Sequence, residues 1–332
     1  MPDNILLTTD IHLTEKSEDE YKFELFPWIV KKFRKEVSRV CILGDITDRK
    51  NFHADFFVNR IVDNFIYLSK YFSVYILRGN HDYDAEPSSP FFEFLNDYDN
   101  IEYFIEPTFT EERVLFLPHS RDPGNDWGIL NTIEKPRAIL MHQTFRGAIS
   151  ESGFELDGLS PRRFEKYQCP IYSGDIHVPQ MVGPVMYVGS PYHTRYGDKF
   201  DPRLVLTDKN FLPLNCDIKF PAPKKLVIEI TDAKHLKSAS FEKGDRAKVR
   251  LFLPKSLYSV WPEQRDEIRR IAEKSGLRLH SITHKELEET KANRVRKIKR
   301  TKGKSRSDIF SSFCKRYEIR SDLVEAGKTF ME

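Results

Sequence analysis

Five short clusters of aspartate, asparagine and histidine occur in the first 180 residues, each at the end of an apolar run. Asp10-Ile11-His12 follows Asn4 to Thr9, and Gly44-Asp45-Ile46-Thr47-Asp48 follows Arg39 to Leu43. Gly79-Asn80-His81-Asp82 follows Val74 to Leu77, His142 ends Arg137 to Met141, and Gly174-Asp175-Ile176-His177 follows Pro170 to Ser173. In an extended backbone residues i and i+2 point the same way, so each D-x-H unit offers two ligands on one side. Oxygen and imidazole donors without thiolates suit manganese, magnesium, iron or zinc. Two such cations about 3.5–4 Å apart can share one carboxylate, activate water as hydroxide and hold the oxygens of a phosphoryl group. The chemistry implied is hydrolysis of a phosphate ester.

These residues need a scaffold that brings strand ends together. The apolar runs read as strands, separated by helical patterns over Phe26 to Val37 and Ala54 to Phe72; Phe57, Ile61, Phe65 and Leu68 give the second its helical spacing. The order is βαβαβ with ligands at the C-terminal strand ends, where open α/β sheets carry their sites. A short helix is predicted over Pro90 to Tyr98. Strands are predicted near Ile101–Ile105, Val114–Leu117, Val185–Val188, Arg203–Leu206 and Phe211–Leu214. Phe220-Pro221-Ala222-Pro223 reads as a linker. Beyond it come strands at 225–230, 248–253 and 278–282 and a helix at 262–274, a small α+β unit. The basic run Lys291 to Arg306 follows, then an amphipathic segment from Asp308 to Met331.

Length suggests about two domains. Cys41, Cys169, Cys216 and Cys314 are scattered without a CxxC pair, so they read as reduced thiols. No apolar stretch is long enough to span a bilayer and Met1 to Asn4 does not open a signal peptide, which predicts a soluble, cytoplasmic chain. The net charge of +3 hides a partition: residues 1–220 carry 25 Lys and Arg against 34 Asp and Glu, whereas residues 221–332 carry 28 against 16. An acidic body with a basic tail is the pattern expected when carboxylates bind cations in one part and the other holds a polyanion.

In order and spacing, the five motifs resemble the calcineurin-like metallophosphoesterase superfamily over roughly residues 4–193. The resemblance implies an α/β fold: a metallophosphoesterase β-sandwich flanked by helices. It implies that Asp10, His12 and His177 hold one metal, that Asn80, His142 and Asp175 hold the other, and that Asp45 bridges them. His81 would be the general acid or transition-state stabiliser, with Asp82 orienting its imidazole. The family usually has histidine where Asp175 stands; a carboxylate makes that site harder and more anionic, favouring manganese or magnesium.

The Tyr-Val-Gly-Ser-Pro-Tyr segment at 187–192, the small α+β unit and the C-terminal helical segment are similar to SbcD-type nuclease subunits, a group that includes phage recombination nucleases. That likeness implies a manganese-dependent DNA exonuclease/endonuclease. Its parts would be a nuclease domain (1–220), a capping domain (221–285), a basic linker (286–306) and C-terminal helices (307–332) that dock on an SbcC-like SMC-type ATPase, in a complex built on a homodimer. Arg294, Arg296, Lys297, Lys299 and Arg300, the densest basic cluster, are the expected DNA contacts. A small-molecule phosphomonoesterase or cyclic phosphodiesterase is the alternative enzyme; a non-catalytic scaffold for the ATPase is the other.

Overall fold

The apolar runs pair into two six-stranded sheets whose facing surfaces share a core. The computed structural model describes residues 3–84 and 90–287. In the first sheet β1 (Asn4–Thr8), β2 (Val37–Ile42), β3 (Ser73–Leu77) and β4 (Ile101–Phe104) run parallel, and β11 (Leu204–Thr207) and β12 (Pro213–Ile218) add antiparallel on the β1 side. The second has the order β5-β6-β7-β8-β10-β9, from Thr108–Phe109, Val114–Leu117, Ala138–His142, Ile171–Gly174, Val185–Tyr187 and Gln180–Val182.

Alternation along each strand sorts the core into layers. Ile5, Leu7, Cys41, Leu43 and Leu77 face the second sheet, where Phe116, Leu140 and Tyr172 meet them. Leu6, Val40, Ile42, Val74 and Ile76 point outward under two helices, α1 (Leu25–Phe33) and α2 (Asp55–Ser69). Phe57, Ile61, Phe65 and Leu68 form the buried stripe of α2, each such side chain worth about 1.5–3 kcal/mol of burial. This is the mixed α/β sandwich expected of the family.

Residues 1–285 form one compact unit and residues 286–332 a second, of which only Glu286 and Leu287 are described. β13 (Lys225–Ile230), β14 (Arg246–Leu253) and β15 (Arg278–Glu286), whose last residue alone falls outside the first unit, make a three-stranded sheet with its own core, covered by the helix Trp261–Ser275. That helix stops at Gly276, whose φ of 72° lets its N–H turn back to the carbonyls of Ala272 and Glu273. A buried charge pair ties this sheet to the sandwich: Lys225 Nζ lies 2.6 Å from Asp19, which also faces Lys22 at 3.6 Å. Burial pulls the Lys22 ammonium down to about 8.

Several boundaries differ from the sequence reading, β15 among them, which runs on to Glu286. Helix α1 ends at Phe33 because Val37 opens β2. The helix expected over 90–98 is a 3-10 turn, Glu93–Asp97, where the Asn96 side chain pairs with both backbone groups of Tyr103 (2.6 and 3.2 Å). The strand expected at 211–214 starts at Pro213, since Phe211 turns with a φ of 62°. Among the described residues no helix is long and apolar enough to cross a membrane. The basic cluster Arg294, Arg296, Lys297, Lys299 and Arg300 and the segment 307–332 lie outside the described residues.

Candidate metal centre

All seven expected ligands converge where β1, β2, β3, β7 and β8 end. The chain beyond β1 runs against the chain beyond β2: Asp10 N–H donates to the Gly44 carbonyl and His12 N–H to that of Asp45, each at 3.0 Å. Four ligand residues adopt left-handed backbone, Asp10 (φ 51°), His12 (37°), Asp45 (58°) and Asp175 (82°). Such conformations cost roughly 1–3 kcal/mol each for a residue with a Cβ, and they concentrate at sites where side chains must be aimed. Two glycines permit the close approach. A Cβ at Gly79 would collide with the Asp45 carboxylate, and one at Gly174 with the Leu43 carbonyl and the His142 ring.

Two ligand sets share Asp45. His12 Nε2 is 3.0 Å from His177 Nε2, 3.9 Å from Asp10 Oδ1 and 3.5 Å from Asp45 Oδ2. His142 Nε2 is 3.5 Å from the other oxygen of Asp45, 3.8 Å from Asp175 Oδ1 and 3.1 Å from Asn80 Oδ1. Bonds of about 2.0–2.1 Å to one ion, at right angles, put neighbouring donor atoms about 3 Å apart, which is the separation of the two Nε2 atoms.

The unpaired atoms agree with that reading. Asp10 Oδ1 is buried without a hydrogen-bond partner. Asn80 presents its amide oxygen to the Asp45 carboxylate and to His142 Nε2; turned over, its nitrogen would reach both Asp45 oxygens at 3.0 Å. Acceptors aimed at acceptors are satisfied by a cation between them. The residues therefore fit two divalent ions, with Asp45 between.

Electrostatics point the same way. Burial raises the carboxyls of Asp10 and Asp45, the latter well above its ordinary range. Burial depresses the His12 imidazole strongly. It also opposes charge on His142, but Asp45, Asp10 and Asp175 outweigh it and lift that imidazole to about 9. Without cations the cluster holds protons in their place, so loading metal releases protons.

His81 stands beside this pair. Its ring meets that of His12 edge-on, 4.9 Å between centroids, and its Nδ1 lies 2.8 Å from the Asp48 carbonyl. Nε2 is thereby left for the cleft, of about 770 Å³, lined by His81, Asn80, Asp175 and Arg195 among others.

The role expected for Asp82 is corrected. Its buried carboxylate accepts the backbone N–H groups of Gly79 (2.7 Å), Asp45 (2.9 Å) and Ile46 (2.9 Å), and it is the Asp48 carbonyl that orients the His81 ring. Asp82 clamps the β2 and β3 termini together. Asp82→Ala should therefore cost about 3–5 kcal/mol in urea unfolding, because three buried donors lose their acceptor. Asp82→Asn, keeping one acceptor oxygen, should lose about half of that. Equal stability of wild type and Asp82→Ala would refute the clamp.

Glu151 is a candidate site residue that no sequence motif marks. Its carboxylate lies 2.9 Å from His177 Nδ1, with Thr194 Oγ1 at 3.0 Å, a carboxylate behind a ligating imidazole that fixes its tautomer and ring plane. The hydrogen bond from His177 holds the Glu151 carboxyl down at about 2. Asp175 likewise accepts from Thr144 Oγ1. His119 packs behind His142 (6.1 Å between centroids) with Nδ1 at 2.9 Å from the Tyr83 hydroxyl. Burial pushes it down to about 3, which keeps it neutral.

A family model described as Calcineurin-like phosphoesterase matches residues 4–179. A search of curated proteins returned no match.

Proposed function

The chain belongs to the calcineurin-like phosphoesterases, and from that premise we propose that it is a manganese-dependent DNA nuclease. In this reading it is the nuclease subunit of a complex with an SMC-type ATPase, assembled on a homodimer. The family is one of metal-dependent phosphoester hydrolases, and the two ligand sets sharing Asp45 belong to that chemistry. Divalent cations bound there supply a water-derived nucleophile at neutral pH and Lewis acidity toward phosphoryl oxygens. The chain's own groups do the rest. Asp10, His12 and His177 would hold one ion and Asn80, His142 and Asp175 the other, with Asp45 within reach of both sets. His81 Nε2 reaches into the cleft to donate a proton to the leaving oxygen.

The observation that carries DNA as substrate is the partition of charge. A body with 25 cationic and 34 acidic side chains is followed by 112 residues with 28 and 16. A polyanion approaching the acidic body needs that cationic surface, and each phosphate neutralised releases counterions. A small phosphomonoester or cyclic diester has no use for it. In this proposal the segment 307–332 would dock on the ATPase, as the resemblance implies, and Arg294, Arg296, Lys297, Lys299 and Arg300, the densest basic cluster, would meet the DNA backbone.

Purified protein with manganese and end-labelled duplex DNA is expected to release nucleotides or short fragments, and cleavage should fall steeply between 50 and 200 mM salt. Rapid turnover of aryl phosphates with no cleavage of any DNA would replace this reading with the monoesterase. Fewer than two bound ions per chain at saturating manganese, with no turnover of either substrate, would leave the scaffold.

A further inference from the structure

The cleft over the metal centre continues sideways. Ser150, Glu151 and Arg195 line it and also line a second opening of about 1040 Å³ that runs past Tyr196 and Lys199. The segment Thr194 to Phe200 forms much of its wall and is held from several sides. Asp198, buried, accepts the backbone N–H groups of Thr194 (3.0 Å) and Arg195 (2.9 Å). Gly197 N–H donates to the Lys225 carbonyl at 2.9 Å, and Lys225 Nζ returns to the Thr194 carbonyl at 3.2 Å. Thr194 Oγ1 touches His177, so Arg195 follows directly on a residue in contact with a metal ligand.

Arg195 is the one lysine or arginine among the described residues lining the metal cleft, where Asp45, Asp48, Glu151 and Asp175 set the opposite charge. Its guanidinium and the Lys199 ammonium are exposed, and neither takes part in a side-chain hydrogen bond or ion pair among the described residues. An ordered backbone presenting two exposed cations without a hydrogen-bonded partner, the nearer of them acting on Glu151 only through its charge, calls for an anion.

We propose that Arg195, with Lys199 beyond it, binds the phosphate adjacent to the one being cleaved, so that the second opening carries the polynucleotide strand away from the metals. This rests on the nuclease reading above. The two cations neutralise the scissile phosphate alone; its neighbour would otherwise face the carboxylates of Glu151 and Asp48. A guanidinium meets two non-bridging oxygens with parallel N–H bonds, which an ammonium cannot do. A substrate with a single phosphate gains nothing from such a contact, which makes Arg195 a determinant of specificity for chains over small esters.

The test is a chain-length series with manganese: bis(p-nitrophenyl) phosphate, a dinucleoside monophosphate, then trinucleotides and longer oligonucleotides. For wild type, kcat/KM is expected to rise when the second phosphate is added. In Arg195→Ala that rise should disappear, a loss of about ten- to a hundred-fold on the longer substrates, beyond any loss on single-phosphate esters. Arg195→Lys should recover part of it, and Lys199→Ala should act one phosphate further along. Manganese bound per chain should stay that of wild type. An equal loss on every substrate, or none on the longer ones, overturns the role of Arg195 while leaving the nuclease intact. Wild type that turns over the small diester but no oligonucleotide of any length overturns the nuclease reading, and this proposal with it.

Discussion

Replacing His81 with alanine is expected to lower kcat on a DNA phosphodiester by about 10²–10⁴-fold while two ions stay bound, a loss in the range of a positioned general acid. The rival role is that of a ligand, since His81 has a ring nitrogen close to donor atoms of both His12 and Asp45. Geometry separates the two. Nδ1 is engaged by the Asp48 carbonyl, and the ring edge meets His12 instead of sharing its axis. The hydrogen bond that His81 makes to the metal centre comes from its backbone, whose N–H donates to Asp45 Oδ1 at 2.8 Å and survives the substitution. Metal content measured on the variant therefore decides between ligand and acid. Leaving-group dependence gives a second criterion. A nitrophenolate departs without protonation, whereas a nucleoside alkoxide needs a proton, so the penalty on bis(p-nitrophenyl) phosphate should be far smaller than that on DNA. Equal penalties on both, or loss of one ion, would count against His81 as the acid.

The part of the site that was legible in the sequence is the part built from strand ends. An apolar run, a glycine and a polar ligand in succession is a local pattern, and parallel pairing of β1, β2 and β3 turns it into a shared location without further information. What stayed hidden depends on contacts between segments far apart. Glu151 sits in a polar loop with no pattern to mark it, and it matters only because that loop folds back over His177, 26 residues later. Asp82 was misread for the opposite reason: adjacency to His81 in sequence suggested a partnership, whereas the turn after β3 sends the two side chains to different tasks. In the fold, α2 was readable from its apolar spacing alone, while the segment at 93–97 was not, because its short 3-10 form goes with a tertiary contact, the Asn96 side chain pairing with the backbone of Tyr103 in β4.

Asp45→Asn should abolish turnover, by about 10⁴-fold or more on any phosphoester, since removing one member of a concerted site forfeits nearly all of its effect. The variant should also retain fewer than two ions per chain. Its effect on stability should change sign with metal. Asp45 is buried, with the carboxylates of Asp10 and Asp82 nearby, and burial first, then those charges, raises its pKa well above the ordinary value. An acid whose folded pKa exceeds its unfolded one binds protons in the folded state. Stability is then greatest below the unfolded value, about 4, and declines as pH rises toward the folded one. At neutral pH and without metal this carboxyl therefore opposes folding, and a neutral amide of the same shape relieves it. In chelator the urea midpoint of Asp45→Asn should lie above that of wild type at pH 7, with the gap closing as the pH is brought down to about 4. Saturating manganese should reverse the order, because the cations bind the folded wild type and repay the cost of holding a carboxylate there. A wild type more stable than the variant in chelator at pH 7 would mean that Asp45 is held by hydrogen bonds and not by metal. Its place between the two ligand sets would then be architecture, and the bridging role would have to be abandoned.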